Sequence, residues 1–335
     1  LNNFFRSYLS QRKQFTVIGN SRSDVSYVHC GVPQGSVLGP VLFLIYINDL
    51  YRCVDECFVR LFADDTGLTC HDKIFNVLVN KARVKIAKLF EWCLFNKLTV
   101  NSDKTCFVLF HSIRKKVPAG FECIDVNGII IKIARSTNYL GMIFDVHIDW
   151  REHVNYVCRS LVKYFGIFNH VKYFITARLA RQLYFAFIYS RIKYGLEVYG
   201  QCSSQLLQKV QILQNKLLKL LLGLNYRTGT NQLHSQLNIL KVKDIQNVNV
   251  ISFVNQCLNA NCPDTFKNYF TQRMSEYDLR NLGLVIRRHN TVLGSLSISI
   301  YGARLWNELD ENVKSHHLKM CFKRYLIRFY IEKYV

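Results

Sequence analysis

The chain has 335 residues, half of them hydrophobic, with 44 Lys and Arg against 23 Asp and Glu and a net charge of +21. The length holds two or three domains with a sizeable core, the apolar share excludes a disordered chain, and the charge points to a polyanionic partner. The excess is uneven: residues 1–140 carry 18 basic and 11 acidic side chains, residues 141–335 carry 26 and 12.

In chain order, residues 1–10 read as a helix, and Gln14–Gly19 with Val25–Cys30 as a hairpin turning around Asn20–Ser23. Next comes Gly31-Val32-Pro33-Gln34-Gly35-Ser36-Val37-Leu38-Gly39-Pro40. Glycine lets the backbone approach a ligand, proline fixes a turn, and Gln34 offers both a donor and an acceptor. Ser36 is placed to cap an apolar helix over Val37 to Leu50. Two strand-like runs follow, Cys57–Leu61 and Gly67–Cys70, with Phe62-Ala63-Asp64-Asp65 between them. Phe75, Leu78, Ala82, Ile86, Leu89 and Cys93 recur at helical spacing. Leu98 to Thr105 then leads through Lys104 into a strand over Cys106–Phe110, and Tyr139 to Asp145 reads as a short strand or hairpin. From Trp150 the pattern turns helical: one helix with Val154, Val157, Leu161 and Tyr164 inward, a second over Thr176–Tyr199, and a third capped by Ser203 or Ser204 and ending at Gly223. Leu237–Val248 and Val250–Leu258 also read as helices, and Arg287-Arg288-His289 and Lys323-Arg324 form basic clusters.

The adjacent carboxylates Asp64 and Asp65 carry the chemistry. Like charges side by side repel, so a structural turn gains nothing from them, although many Asp-Asp turns are simply solvated. A cation explains them: hard carboxylate oxygens suit Mg²⁺, which completes its shell with water and substrate phosphates. That is the requirement of two-metal phosphoryl transfer, with ions roughly 3.5–4 Å apart.

The order of these segments resembles the palm of reverse transcriptases from non-LTR (LINE-type) retrotransposons. Gly31 to Leu50 is similar to that family's motif B, Leu61 to Asp65 to motif C, Leu98 to Phe110 to motif D, and Tyr139 to Asp145 to motif E, the primer grip. The likeness is strong over residues 25–145 and looser beyond, where Ile148-Asp149-Trp150 and the helices after it resemble the family thumb and Leu305-Trp306-Asn307 a common C-terminal segment. It implies an α+β fold: a partial palm of antiparallel sheet and packed helices over 1–145, a helical thumb over 146–223, and a basic, mainly helical region over 224–335. It implies RNA-directed DNA polymerisation, with an RNA template, a DNA primer, dNTPs and two Mg²⁺ ions in the intact enzyme. Asp64 and Asp65 would hold the metal, and Lys104 would protonate pyrophosphate. Pro33, Gln34 and Gly35 would meet nucleotide and template. Phe62, Ala63, Leu140 and Gly141 would hold the primer.

Motif A, the family's other metal-binding aspartate, has no counterpart here, and the first residue is Leu1. The chain therefore reads as a fragment that is inactive alone. A decayed nucleic-acid-binding remnant and an intron-maturase-like palm protein remain as alternatives. The 12 cysteines show no zinc spacing: Cys53 and Cys57 lack a second pair, as do Cys257 and Cys262, and the adjacent His316 and His317 cannot both reach one ion from a helix. They read as reduced thiols of an intracellular protein, nuclear or cytoplasmic, with no structural zinc. No signal peptide is visible, and the apolar run Val37 to Ile47 is too short to span a bilayer.

Overall fold

The computed structural model describes residues 1–334 apart from 56, 119, 226, 274–282 and 315–320; His316 and His317 lie outside the described residues. The fold is α+β, in two compact units: Leu1–Phe107 with Val117–Ala134, and Val108–Lys116 with Arg135–Val335.

The first unit opens with α1 (Asn2–Leu9) and four short strands, β1 (Arg12–Gln14), β2 (Val17–Ile18), β3 (Ser21–Arg22) and β4 (Ser26–Val28). They make the expected hairpin as two ladders, β1 with β4 and β2 with β3, turning at Gly19-Asn20. The pairs Gln14↔Ser26 and Val17↔Arg22 differ in register by one residue, so the second strand carries an extra residue between the ladders. Helix α2 (Gly39–Ile47) starts two residues later than expected, with Pro40 in its first turn, where its missing N–H costs nothing. Hairpin β5 (Phe58–Phe62) and β6 (Asp65–Thr69) follows, then α3 (Phe75–Phe95).

The apolar stripe of α3 serves two cores. Leu89, Trp92 and Cys93 join Ile47, Leu50, Phe43 and Leu61, with Leu98 and Val100 from the segment after α3. Val79, Ala82, Ile86 and Phe90 pack on Ile124, Val126 and Ile131 of a three-stranded sheet. That sheet is β7 (Cys106–Phe107), β8 (Cys123–Val126) and β9 (Ile129–Ile133), in the order β7-β9-β8. The strand expected over Cys106–Phe110 keeps only its first two residues. The β8–β9 hairpin was not foreseen, yet Asn127-Gly128, both at positive φ, is the strongest short-range hairpin signal a sequence carries.

The second unit is mainly helical. Hairpin β10 (Ser136–Tyr139) and β11 (Met142–Asp145) leads into α4 (Arg151–Val171). The single helix expected over 176–199 is broken. After α5 (Ala177–Leu183), capped by Thr176, comes a wider π turn over Tyr184–Tyr189, then α6 (Ser190–Lys193). The chain turns at Tyr194-Gly195 before α7 (Leu196–Tyr199). Helix α8 (Ser204–Leu221) is capped by Ser203 and followed by Gly223 at positive φ. After α9 (Thr230–Gln236), α10 (Val242–Leu258) runs unbroken where two helices were expected. Its interior Asn249 is buried and accepts from the Lys323 ammonium at 3.1 Å. Short helices α11 (Val292–Ser295), α12 (Ile298–Asn307), α13 (Glu311–Lys314) and α14 (Phe322–Glu332) complete the unit. One core runs from Met142 to Tyr334, through Leu161, Tyr184, Ile188, Val210, Leu217 and Val254. Each such side chain contributes about 1.5–3 kcal/mol by burial.

Two polar groups order the entry to this core. Buried Asp145 accepts the backbone N–H groups of His147, Asp149 and Trp150 at 3.0–3.1 Å, which stabilises the positive φ of Ile148 and Trp150. His153 accepts the Ile143 N–H on Nδ1 at 3.2 Å, so its proton sits on Nε2, which is buried without a partner among the described residues. Burial holds this imidazole below its ordinary pKa. The unfolded ring takes up a proton near pH 6.5 and the folded ring only at lower pH, so the unfolded state binds more protons in that window and stability falls as pH falls. The thermal midpoint of the second unit should therefore drop between about pH 7 and about pH 5, and drop less in His153→Gln, as calorimetry would measure. An equal drop in both proteins would remove His153 from the account.

Candidate active site

The acidic pair sits at the tip of β5–β6. Phe62 pairs with Asp65, which leaves Ala63-Asp64 as a two-residue turn with positive φ at Ala63. Such tight turns match the twist of the flanking strands. Alternation divides the hairpin into two faces. Val59, Leu61 and Leu68 lie on the half-buried one; Phe58, Arg60, Phe62 and Asp65 lie on the open one. Asp64 and Asp65 are both exposed, and neither carboxylate makes a hydrogen bond or ion pair among the described residues.

Pro33, Gln34 and Gly35 form a turn ahead of α2. Ser36 donates to the Pro33 carbonyl through its N–H at 3.4 Å and through its hydroxyl at 2.7 Å. Gly35, at φ +75°, holds the position of a type II turn that favours glycine. The Ser36 hydroxyl also accepts the Gly39 N–H at 3.1 Å, but the N-cap position falls to Leu38, which makes no side-chain cap, because α2 starts later than expected. Gly39 permits this packing: a Cβ there would lie 2.9 Å from Ser36 Oγ and 3.2 Å from the Pro33 oxygen. Arg12 braces the same stretch by donating to the Cys30 and Gly31 carbonyls at 3.1 and 2.6 Å. Gln34 stands exposed at the crest.

Lys104 is exposed in the turn before β7, where its N–H donates to Asn101 Oδ1 at 3.1 Å. The core of Ile47, Leu50 and Cys93 ties α2, the hairpin and the segment leading to Lys104 together. Leu140 and Gly141 belong to the second unit. They form the β10–β11 turn, both at positive φ, between Tyr139 and Met142. Tyr194 pins that turn: its hydroxyl donates to the Leu140 carbonyl at 2.6 Å, and a Cβ on Gly141 would lie 3.3 Å from its ring. The sequence reading missed Gly39 and Tyr194. Gly39 was visible beside Pro40; Tyr194 was visible only as part of an aromatic run.

The tip offers two candidate oxygen donors for a metal. Its donors are hard and unengaged, which fits a divalent cation. Among the described residues, however, no group of three or more His, Cys, Asp or Glu side chains is placed to hold an ion. Asp145 is buried and already accepts three backbone N–H groups. Among the described residues no helix is long and apolar enough to cross a membrane.

Residues 2–144 match the family described as reverse transcriptase (RNA-dependent DNA polymerase). Over 252 residues the chain is 26% identical to the probable RNA-directed DNA polymerase from transposon BS of Drosophila melanogaster. Over a similar span it is 24% identical to the RNA-directed DNA polymerase from mobile element jockey of Drosophila funebris. The same identity, over 248 residues, links it to the probable RNA-directed DNA polymerase from transposon X-element of Drosophila melanogaster. Each alignment covers 71% of this chain and 27% of the relative, so the chain spans about a quarter of their length. No solved structure matches. Residues 2–144 thus carry the match to the reverse transcriptase family, and over about 71% of its length the chain is similar to RNA-directed DNA polymerases of Drosophila mobile elements.

Proposed function

We propose that this chain is the part of an RNA-directed DNA polymerase that presents metal-binding carboxylates to a dNTP and holds the primer strand. The observation that carries this reading is the hairpin tip, where Asp64 in the two-residue turn and Asp65 at the start of β6 stand exposed, their carboxylates without a partner among the described residues. Asp64 is the direct ligand in this reading and Asp65 the supporting one, with Mg²⁺ favoured by the oxygen donors. Bound there, such ions supply charge neutralisation at the phosphates and a more acidic primer hydroxyl.

The remaining roles follow from chemistry and placement. The primer 3′-oxygen bonds to the α-phosphorus of the dNTP, and the bond to the departing pyrophosphate breaks. Lys104 delivers a proton to that leaving group from its exposed turn. Gln34, backed by Pro33 and Gly35, offers donor and acceptor to nucleotide and templating base. Phe62 and Ala63 present apolar surface to the primer end, and the Leu140-Gly141 turn lets backbone approach the primer strand.

One Asp-Asp pair is too little negative charge to hold two dications beside a nucleotide. We therefore assign the missing carboxylate to a segment outside these residues and expect no polymerisation by the 335-residue chain alone. The test is extension of a DNA primer on an RNA template with Mg²⁺ and dNTPs. The chain alone should give none, and a longer polypeptide that adds the motif A segment should extend. Robust extension by the chain alone would place the further carboxylate within it. Failure of an intact longer protein would favour the second reading, a nucleic-acid-binding remnant.

A further inference from the structure

At the other end of the hairpin, Cys57 and Cys70 directly precede and follow the last paired residues, Phe58 and Thr69. Their register is favourable. In a hairpin closed by a two-residue turn, Phe62 and Asp65 form the first hydrogen-bonded pair. Pairs then alternate outward, which puts Cys57 and Cys70 opposite each other at a non-hydrogen-bonded position. There Cα atoms lie about 4.5 Å apart, within the span a disulfide bridges. The two Sγ atoms are 3.1 Å apart, both thiols are free, and both are half-buried rather than sealed. They share the hairpin face of Val59, Leu61 and Leu68, opposite the open face that carries Asp65.

We propose that Cys57 and Cys70 are an oxidation site that closes to a cross-strand disulfide by exchange with a small-molecule disulfide of the glutathione class. One cysteine thiolate attacks an oxidant sulfur, which forms a mixed disulfide and releases one small thiol. The other cysteine gives its proton to solvent, attacks the protein sulfur of that mixed disulfide and releases the second small thiol. Two protein thiols are oxidised, and one external disulfide is reduced to two thiols. The product fastens the open end of the hairpin whose closed end is the Asp64 turn. Burial and the hydrogen bond with Cys57 push the Cys70 thiol up to about 12, while Lys81 and Lys85 oppose the shift. Closure is therefore slow at neutral pH and accelerates as pH rises. This chemistry does not rest on the polymerase reading.

The test treats the full 335-residue protein with oxidised glutathione, under native conditions and in urea. Free thiols are then trapped by alkylation, and the digest is mapped by mass spectrometry. The expected product is a Cys57–Cys70 linkage lighter by two hydrogen atoms, favoured at equilibrium over the mixed disulfides by at least about tenfold more in the native protein than in urea, where the loop must close unaided. Exposed Cys30 and Cys123 report that the oxidant has acted. Cys57→Ser and Cys70→Ser should each abolish the linkage and leave at most a glutathione adduct on the remaining partner. The proposal is overturned if Cys30 and Cys123 become glutathionylated while Cys57 and Cys70 stay reduced or stop at mixed disulfides. A linkage equally favoured at equilibrium in urea overturns it too.

Discussion

Asp64→Asn, placed in a longer polypeptide that supplies motif A, should reduce primer extension below detection while the protein keeps its thermal midpoint. The substitution removes a charged metal ligand and keeps the side-chain shape. Asp64 is exposed on its turn, with no hydrogen bond or ion pair among the described residues, so the fold does not lean on its charge and the fall in rate reads as chemistry. It should exceed the about 10²–10³-fold that removal of a single electrostatic contact to a transition state costs. Lys104→Ala should slow the same reaction less and leave residual turnover, since a general acid contributes about 10²–10⁴-fold and water can replace it in part. Single-turnover rates with saturating dNTP would measure both. Residual extension in Asp64→Asn equal to that in Lys104→Ala would move the metal away from the hairpin tip.

The hairpin was legible where one local pattern marked its tip. Two carboxylates between strand-like runs mark a turn, and the turn observed at Ala63-Asp64 is where the sequence put it. The stripe of α3 and the capped α8 were legible because a helical period repeats over several turns. What stayed hidden depended on distant partners. Asn249 looked like a break between two helices, but its bond to Lys323 comes from 74 residues away and lets α10 run through. The aromatic run after Thr176 looked like one helix, whereas Gly195 turns the chain so that Tyr194 reaches back to Leu140. Asp145 read only as the end of a motif, and its three N–H groups lie in the loop it orders. The β8–β9 hairpin was different: its Asn127-Gly128 signal was local and was passed over.

Binding of the chain to RNA or primed duplex should weaken about 10³–10⁵-fold between 50 and 200 mM salt, if six to ten phosphates are neutralised. The structure leaves cations exposed for such contacts. In the second unit the ion pairs Arg151–Asp149, Lys267–Asp264 and Lys314–Glu311 join close sequence neighbours. Arg159, Lys163, Arg178, Arg191, Lys209, Lys216, Arg324 and Arg328 are exposed on its helices. Each phosphate neutralised by such a side chain releases condensed counterions, and that release weakens as salt rises. Most aromatics of this unit, including Phe168, Tyr184 and Tyr199, are committed to the core. Tyr173 and Phe174, after α4, are instead 80% and 84% exposed, beside Lys172, and could add stacking to single strands at little cost in salt sensitivity. Neutralising Arg178, Arg191 and Lys209 together should flatten the slope of log K against log salt by up to about 0.7–0.9 for each phosphate they had paired with. Neutralising as many cations in residues 1–140, where the excess is smaller, should flatten it less. Fluorescence anisotropy across a salt series would measure both slopes. A slope near zero, or equal flattening from the two regions, would refute the assignment of the basic excess to a nucleic-acid backbone.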